Sequence, residues 1–323
     1  MNDSIEDHMA EHNLRAIAFY NVENLFDIYD DTRTYDDDFL PINVKKWTPK
    51  RYDNKLRKLG YTISNIGKKE TGNHPALVGL AEVENAKVIE DLLATNPLKD
   101  CHYKFVHYNS LDERGIDVAL LYDTTAFEVT HSEVFRIFLE NSEGLPDYTR
   151  DILLVSGLLD GEAIHVIINH WSSRREGEKE SEPKRMAASN KVTEIIARLR
   201  EASDGVKIIV MGDFNDNPSN NSMKQLVENS NLFNPMETLR SFSRGTTYHN
   251  RQWNLFDQII VSTSFFDNTP NRFEYETANI FDEDFLKIPK GKFKGSPFRT
   301  YAGKKYAGGY SDHFPVYAVF KKN

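Results

Sequence analysis

The chain has 323 residues, with 49 acidic and 40 basic side chains and a formal net charge of −9. That balance weighs against a protein gripping long duplex DNA over an extended basic surface, because phosphate contacts supply most of such affinity. With 39% hydrophobic residues the chain can bury a substantial core, and its single cysteine, Cys101, excludes an internal disulfide or a multi-cysteine metal site.

Residues 1–13 read as a flexible N-terminal segment. They lack the basic region and apolar run of a signal peptide, and the lone cysteine suits a reducing compartment, so a cytoplasmic location is the expectation. No run approaches the roughly 18 apolar residues of a membrane span. The first strand is expected over 14–20 (LRAIAFY), and it runs into the polar cluster Asn21-Val22-Glu23-Asn24. Residues 36–38, all aspartate, read as a solvated loop. Over 51–66 the apolar Tyr52, Leu56, Leu59, Ile63 and Ile66 recur at three- and four-residue steps and predict an amphipathic helix. A strand over 76–80 leads to Glu82-Val83-Glu84-Asn85, where Asn85 is placed to cap a short helix. Strands follow over 118–122 (VALLY), 152–158 and 164–169 (IHVIIN), the last ending in Asn169-His170-Trp171.

The charged run 176–182 reads as a solvated loop. It precedes a second amphipathic helix over 184–199, built on Ala188, Val192, Ile195, Ile196 and Leu199. The strand 207–211 (KIIVM) runs into Gly212-Asp213-Phe214-Asn215-Asp216. Asp257 opens a strand over 256–261, and Ser311-Asp312-His313 precedes the last one, 316–320. Between these two, residues 287–305 carry Lys287, Lys290, Lys292, Lys294, Arg299, Lys304 and Lys305 with no acid, interleaved with Phe293, Phe298 and Tyr301. That stretch reads as a basic flap over an anionic substrate, the alternative being a plain surface loop. No repeat or low-complexity linker interrupts the chain, so residues 1–323 are read as a single domain.

The polar clusters constrain the fold. Those at Asn21, Glu82, His170 and Asp213 follow strands, whereas Asp257 and Asp312-His313 open or precede them. In a fully parallel sheet these would lie on opposite edges. A single site therefore requires some strands to run antiparallel to others, which favours mixed or antiparallel sheets with helices on their outer faces, an α/β (α+β) architecture, and argues against a doubly wound nucleotide-binding fold. Taken singly, each residue has a plainer reading. Asn21 is a turn former, Glu82 a solvated strand end, and His170, like His165, a satisfied core histidine. Together they form an oxygen-rich, thiol-free set that suits Mg²⁺, Mn²⁺ or Ca²⁺ better than zinc.

The runs FYNVENLFD, GLAEVEN, RGIDVALLY, INHWSSR, MGDFNDNP, LFDQIIV and GGYSDHFPVY, in this order, resemble the endonuclease/exonuclease/phosphatase superfamily. The resemblance implies a four-layered α/β/β/α sandwich of two packed mixed β-sheets. It also implies a phosphoesterase dependent on Mg²⁺, or on Mn²⁺, with Ca²⁺ compatible. By the same resemblance Glu82 is a direct metal ligand, Asn21 its partner and Asp312 a further metal or water ligand. Asp213 acts on the attacking water, Asn215 positions water and phosphate, and His313 and His170 face the phosphoryl oxygens. Asp257 holds His313 in its tautomer and keeps it charged. Arg150, in YTRDILLV, and Arg174 are read as substrate-binding, with Arg175 beside them. Glu23 stands where abasic-site enzymes of the group have aspartate, and Asp117 is expected near the site without an assigned role. The partner is a phosphorylated substrate, nucleic acid among the candidates, and no protein partner is inferred. A nuclease-like phosphodiesterase is the first reading. A phosphatase or phosphodiesterase of a small phosphorylated molecule or lipid head group is the alternative, and an inactive scaffold of the same fold a remote third.

Overall fold

The computed structural model describes residues 13–140, 143–203 and 205–323. The expected N-terminal segment, apart from residue 13, lies outside them. Strands in chain order are β1 (Leu14–Leu25), β2 (Leu77–Val83), β3 (Tyr103–His107), β4 (Asp117–Asp123), β5 (Phe127–Phe135), β6 (Leu139–Glu140), β7 (Pro146–Asp147), β8 (Ile152–Leu159) and β9 (Glu162–His170). They continue with β10 (Lys207–Asp213), β11 (Leu232–Phe233), β12 (Thr247–His249), β13 (Gln252–Asn254), β14 (Asp257–Ser262), β15 (Phe273–Ile280), β16 (Tyr301–Ala302), β17 (Lys305–Tyr306) and β18 (Val316–Lys322). The helices are α1 (Pro49–Ile63), α2 (Lys68–Thr71), α3 (Ala86–Leu93), α4 (Glu178–Ala202) and α5 (Asn221–Asn229).

Twelve of the strands form two six-stranded sheets, ordered β15-β18-β1-β2-β4-β3 and β11-β14-β10-β9-β8-β5. The other six make three two-stranded ribbons. Both sheets are mixed: β1 pairs parallel with β2 and β9 parallel with β10, and the remaining neighbours are antiparallel.

Side-chain alternation along each strand builds the layers. In the second sheet Leu153, Val155, Val166, Ile168, Ile209, Met211 and Ile259 point inward to the first sheet. Their neighbours Ile152, Leu154, Ile167, Ile208, Val210 and Ile260 point outward. There they meet Val192, Ile195 and Ile196 of α4 and Met223 and Leu226 of α5. Leu56, Leu59 and Ile63 of α1 and Val88, Ile89 and Leu92 of α3 join the core of the first sheet. Burying each such side chain is worth about 1.5–3 kcal/mol. The sheets approach closely at Gly79, where a Cβ would lie 3.0 Å from the Met211 sulfur. The result is the four-layered sandwich that the family resemblance implied, with the opposed strand directions that the polar clusters required.

Several local expectations shift. α1 starts at Pro49, whose missing N–H is harmless at a helix start, and ends at Ile63, so Ile66 is buried in the following turn. α4 starts at Glu178, with Pro183 inside it; 178–182 is therefore helix and not loop. Asp36 is buried and accepts the Asp31 N–H at 3.1 Å, which leaves only Asp37 and Asp38 of that run solvated. Strands β3, β5 and β15 have no counterpart in the sequence reading. β3, β5 and β15 are sheet-edge strands with polar, partly exposed faces, so they lack the apolar runs that marked the others. Among the described residues no helix is long and apolar enough to cross a membrane.

Candidate active site

All the polar clusters reach one edge of the sandwich. In the second sheet Asp213, at the end of β10, pairs in register with His170 at the end of β9 and with Asp257 at the start of β14. In the first sheet β18 runs antiparallel to β1, so Asp312 and His313, just before β18, lie beside the end of β1. The Asn21 amide crosses between the sheets and donates to Asp213 Oδ2 at 2.9 Å. Asn21 Oδ1 meanwhile accepts the Glu23 N–H at 3.0 Å, so both ends of this amide are engaged.

The backbone at this edge is bent to aim the side chains. Glu23, Asn24, Glu82 and Asn215 all have left-handed φ values between 51° and 66°. Such conformations cost on the order of 1–3 kcal/mol each for residues other than glycine. Register shifts after Asn21 in β1 and after Ala81 in β2 accompany them. The Asn24 N–H, turned by this kink, binds Glu82 Oε2 at 2.8 Å. The Asn215 N–H returns to Asp213 Oδ1 at 3.0 Å, and its Nδ2 donates to the Trp171 carbonyl at 3.0 Å. Gly212 allows β9 to lie close, since a Cβ there would fall 2.4 Å from the Asn169 carbonyl oxygen.

Charge is unevenly distributed over the set. Asp257 is fully buried and holds His313 Nδ1 at 2.7 Å, while His313 Nε2 faces Asp213 Oδ2 at 3.9 Å. Burial works against a charged His313, but Asp257 and Asp213 outweigh it, and the imidazole is held well above its ordinary value. Burial pushes Asp213 up to about 7, opposed by His313 and by its hydrogen bonds from Asn215 and Asn21. Asp213 is therefore a carboxylate whose proton affinity lies near neutrality, as a general base requires. His170 is the opposite case. Burial, with Arg150 and Arg114 nearby, drives it well below the ordinary value, so its ring is neutral. Its Nε2 lies 3.8 Å from Asp213 Oδ2 and 3.9 Å from Glu82 Oε1, and its buried Nδ1 has no hydrogen-bond partner.

Glu23, Glu82 and Asp312 line one cleft of about 230 Å³, together with Asn24, Arg175 and His313. Three carboxylates around so small a space, with no thiol, fit a hard divalent cation such as Mg²⁺ or Mn²⁺. The protein partly compensates them. The fully buried Lys55 lies 4.0 Å from Glu23, and Arg299 pairs with Asp312 at 2.7 Å. Burial and the neighbouring Asp312 still raise Glu23 to about 7. Asp213, Asp257 and His313 also bring ligand-type atoms within 4.8 Å of one another. Their hydrogen bonds to each other and to Asn21 suit proton handling better than metal coordination.

The two arginines expected to bind substrate are occupied by the protein. Arg150 is buried and donates to the His170 and Trp171 carbonyls and to Asp112 at 2.7–3.2 Å. Arg174 donates to the Asn215 carbonyl at 2.7 Å and to Asp216 at 2.6 Å, and so supports the bent Asn215 backbone. Asp117 accepts the Ser110 N–H at 2.9 Å and faces His107 at 3.3 Å, a structural arrangement. His165 is likewise satisfied, by Ser156 at 2.7 Å. Of the basic stretch 287–305 only Arg299, Tyr301 and Gly303 line the cleft, and Lys287 pairs with Asp282 at 3.3 Å.

Lys55 and Arg114 escaped the sequence reading. Lys55 left a signal, a lysine beside Leu56 and Leu59 on a buried helical stripe. Arg114 precedes Gly115, whose φ of 66° turns the chain; its guanidinium reaches Asn24 Oδ1 at 2.8 Å and Glu82 Oε1 at 3.5 Å.

Beside the site, Glu84 is buried, accepts the Asp27 N–H at 2.6 Å and is pushed from 4.5 up to about 8 by burial. A carboxyl raised on folding adds stability below its unfolded value and loses it as pH climbs through the folded one. Glu84→Gln keeps the acceptor without the charge. Its melting temperature relative to the parent is therefore expected to improve between pH 5 and pH 8, as read by calorimetry. An equal difference at both pH values would contradict the burial argument.

A sequence model of the Endonuclease/Exonuclease/phosphatase family matches residues 16–322. Among solved structures the chain is similar to an endonuclease/exonuclease/phosphatase family protein from Bacteroides thetaiotaomicron. They share 17% identity over 96% of this chain and 98% of that one, with a TM-score of 0.60. It is also similar to a mannosyl-6-phosphatase of Bacteroides thetaiotaomicron VPI-5482, at 17% identity, 95% and 99% coverage and a TM-score of 0.57. D. rerio TDP2 complexed with a single-strand DNA product is similar at 14% identity, 96% and 99% coverage and a TM-score of 0.55. A search of curated protein sequences found no match.

Proposed function

This chain belongs to the endonuclease/exonuclease/phosphatase family, and from that premise we propose that it hydrolyses a compact phosphorylated substrate by in-line attack of water, with Mg²⁺ or Mn²⁺ as cofactor. The observation that carries this reading is the meeting of Asn21, Glu82, His170, Asp213, Asp257 and His313 at one sheet edge, from strands that run in opposite directions. Glu82, with Asp312, would hold the cation, which supplies Lewis-acid neutralisation of the phosphoryl and leaving oxygens, while Asn21 braces Asp213.

The chain's own residues do the rest. Asp213, kept in place by Asn21 and the Asn215 N–H, takes the proton of the attacking water. Charged His313, fixed by Asp257, donates a hydrogen bond to the phosphoryl oxygen where negative charge grows. Neutral His170 lies within 3.9 Å of both Asp213 and Glu82. In this reading Asp213 serves as base and His313 as charged donor, and water, not a protein side chain, is the nucleophile.

A cleft of about 230 Å³ favours a compact ester, and the similar mannosyl-6-phosphatase acts within that class. One observation supports the nuclease reading instead. The fully exposed Phe242, with Arg240, Arg251 and Trp253, lines a groove of about 530 Å³ beside the β12–β13 ribbon, which bridges to His313 through Thr247. Assays with Mg²⁺ or Mn²⁺ on p-nitrophenyl phosphate, bis(p-nitrophenyl) phosphate and single-stranded DNA separate the two. Turnover of the small esters without DNA cleavage is expected. DNA cleavage with no small-ester turnover would favour the groove. Absence of any hydrolysis would leave the scaffold reading.

A further inference from the structure

A second pocket, of about 180 Å³, adjoins the catalytic cleft, and Arg175 lines both. Its floor is rigid. The buried Arg150 ties Asp112 at 3.0 Å to the His170 and Trp171 carbonyls, so the loop carrying Arg114 and the segment carrying Ser172, Ser173 and Arg175 are locked together. Asp112 is thus committed to Arg150, and Asp147 to Lys184 at 2.8 Å, which leaves the exposed Glu113 as the other acid at the rim.

Across this pocket the guanidinium of Arg175 makes no hydrogen bond and no ion pair among the described residues. Arg114 uses only Nη2, on Asn24 and Glu82. Repulsion from Arg114 is the leading influence holding Arg175 below the usual arginine value, so the two cations act on each other across this pocket, opposed only from the catalytic-cleft side by Glu82 and Asp312. Fixed like charges held together in this way are stabilised by a ligand of opposite charge. A planar guanidinium suits a phosphate in particular, through paired N–H···O bonds.

Building on the phosphoesterase reading, we propose that the substrate carries a second phosphate group close to the scissile one, and that this group seats between Arg114 and Arg175 against Ser172 and Ser173. The scissile phosphate lies next door, toward Glu82 and His313. The second phosphate has two chemical sources, a small bisphosphorylated molecule or the neighbouring phosphate of a nucleic-acid strand.

The test compares matched substrates with the intact protein in Mg²⁺. The pairs are fructose 1,6-bisphosphate against fructose 6-phosphate, and adenosine 3′,5′-bisphosphate against adenosine 5′-monophosphate. A dinucleotide with a 5′-phosphate against the same dinucleotide without it forms the nucleic-acid arm. In at least one arm kcat/KM is expected to favour the second phosphate, and Arg175→Gln is expected to reduce that preference about tenfold to a hundredfold, the worth of one charge-assisted contact. Arg175→Lys retains part of it. The arm that responds identifies the source. If the protein hydrolyses single-phosphate esters yet shows no preference in any arm, or if Arg175→Gln lowers both members of each pair equally, the subsite is rejected while the phosphoesterase reading stands. If no ester of any kind is hydrolysed, both fall.

Discussion

His313→Ala is expected to lower kcat by about 10²–10³, in a protein that still folds but melts at a lower temperature, because the fully buried Asp257 loses its charged partner. The polar contacts of the imidazole lie within the site: Nδ1 to Asp257 at 2.7 Å, Nε2 toward Asp213 at 3.9 Å. Its contribution depends on being charged, and Asp257 is the leading influence that keeps it so against burial. Two further outcomes follow. Asp257→Asn lowers the proton affinity of His313, so the alkaline limb of the pH–rate profile moves to lower pH. Asp213→Asn removes the acidic limb along with most of the rate, because Asp213 is the group that must lose a proton, near pH 7 in the metal-free protein. The limbs belong to the coupled pair and not to either residue alone. Near-parental kcat in folded His313→Ala would remove the histidine from the reaction.

Glu82→Gln is expected to weaken Mg²⁺ binding by at least about tenfold to a hundredfold in a calorimetric titration, and to abolish most turnover at millimolar metal. The change is nearly isosteric, and the Asn24 N–H at 2.8 Å still finds an oxygen acceptor, so the bend at φ 66° is retained. What disappears is one negative charge among Glu23, Glu82 and Asp312. The compensating cations remain: Arg114 at 3.5 Å from Glu82, Lys55 at 4.0 Å from Glu23 and Arg299 at 2.7 Å from Asp312. With the local balance tipped toward positive, a divalent cation loses both a ligand and its electrostatic attraction. Unchanged Mg²⁺ affinity in this variant would move the metal site away from Glu82. A Glu23→Gln control separates the two glutamates, since Glu23 is bound by the Thr300 N–H and by Lys55 and is the less available of the two.

The contrast between Arg174 and Arg175 illustrates the limits of reading in one dimension. Both follow the NHW cluster, and either could have met a phosphate. Arg174 turns inward to the Asn215 carbonyl and Asp216, about forty residues away in sequence, whereas Arg175 faces the two pockets. Arg150, also expected at the substrate, became the brace behind His170. Lys55 shows the converse: an ordinary helical lysine became a buried counter-charge once the chain around Thr300 and Tyr310 folded over it.

The sequence by itself determined which strands form the sandwich interior and which end of each carries polar groups, because buried strands need apolar runs and a buried carboxylate needs a task. Clusters at both strand starts and strand ends then required some strands to run antiparallel to others, as mixed or antiparallel sheets do. Tertiary structure alone decided the edge strands β3, β5 and β15, whose half-solvated faces weaken the pattern. It also decided which arginine is free and which is braced. That choice depends on carbonyls and carboxylates brought near by the fold, and spacing along a chain carries no record of them.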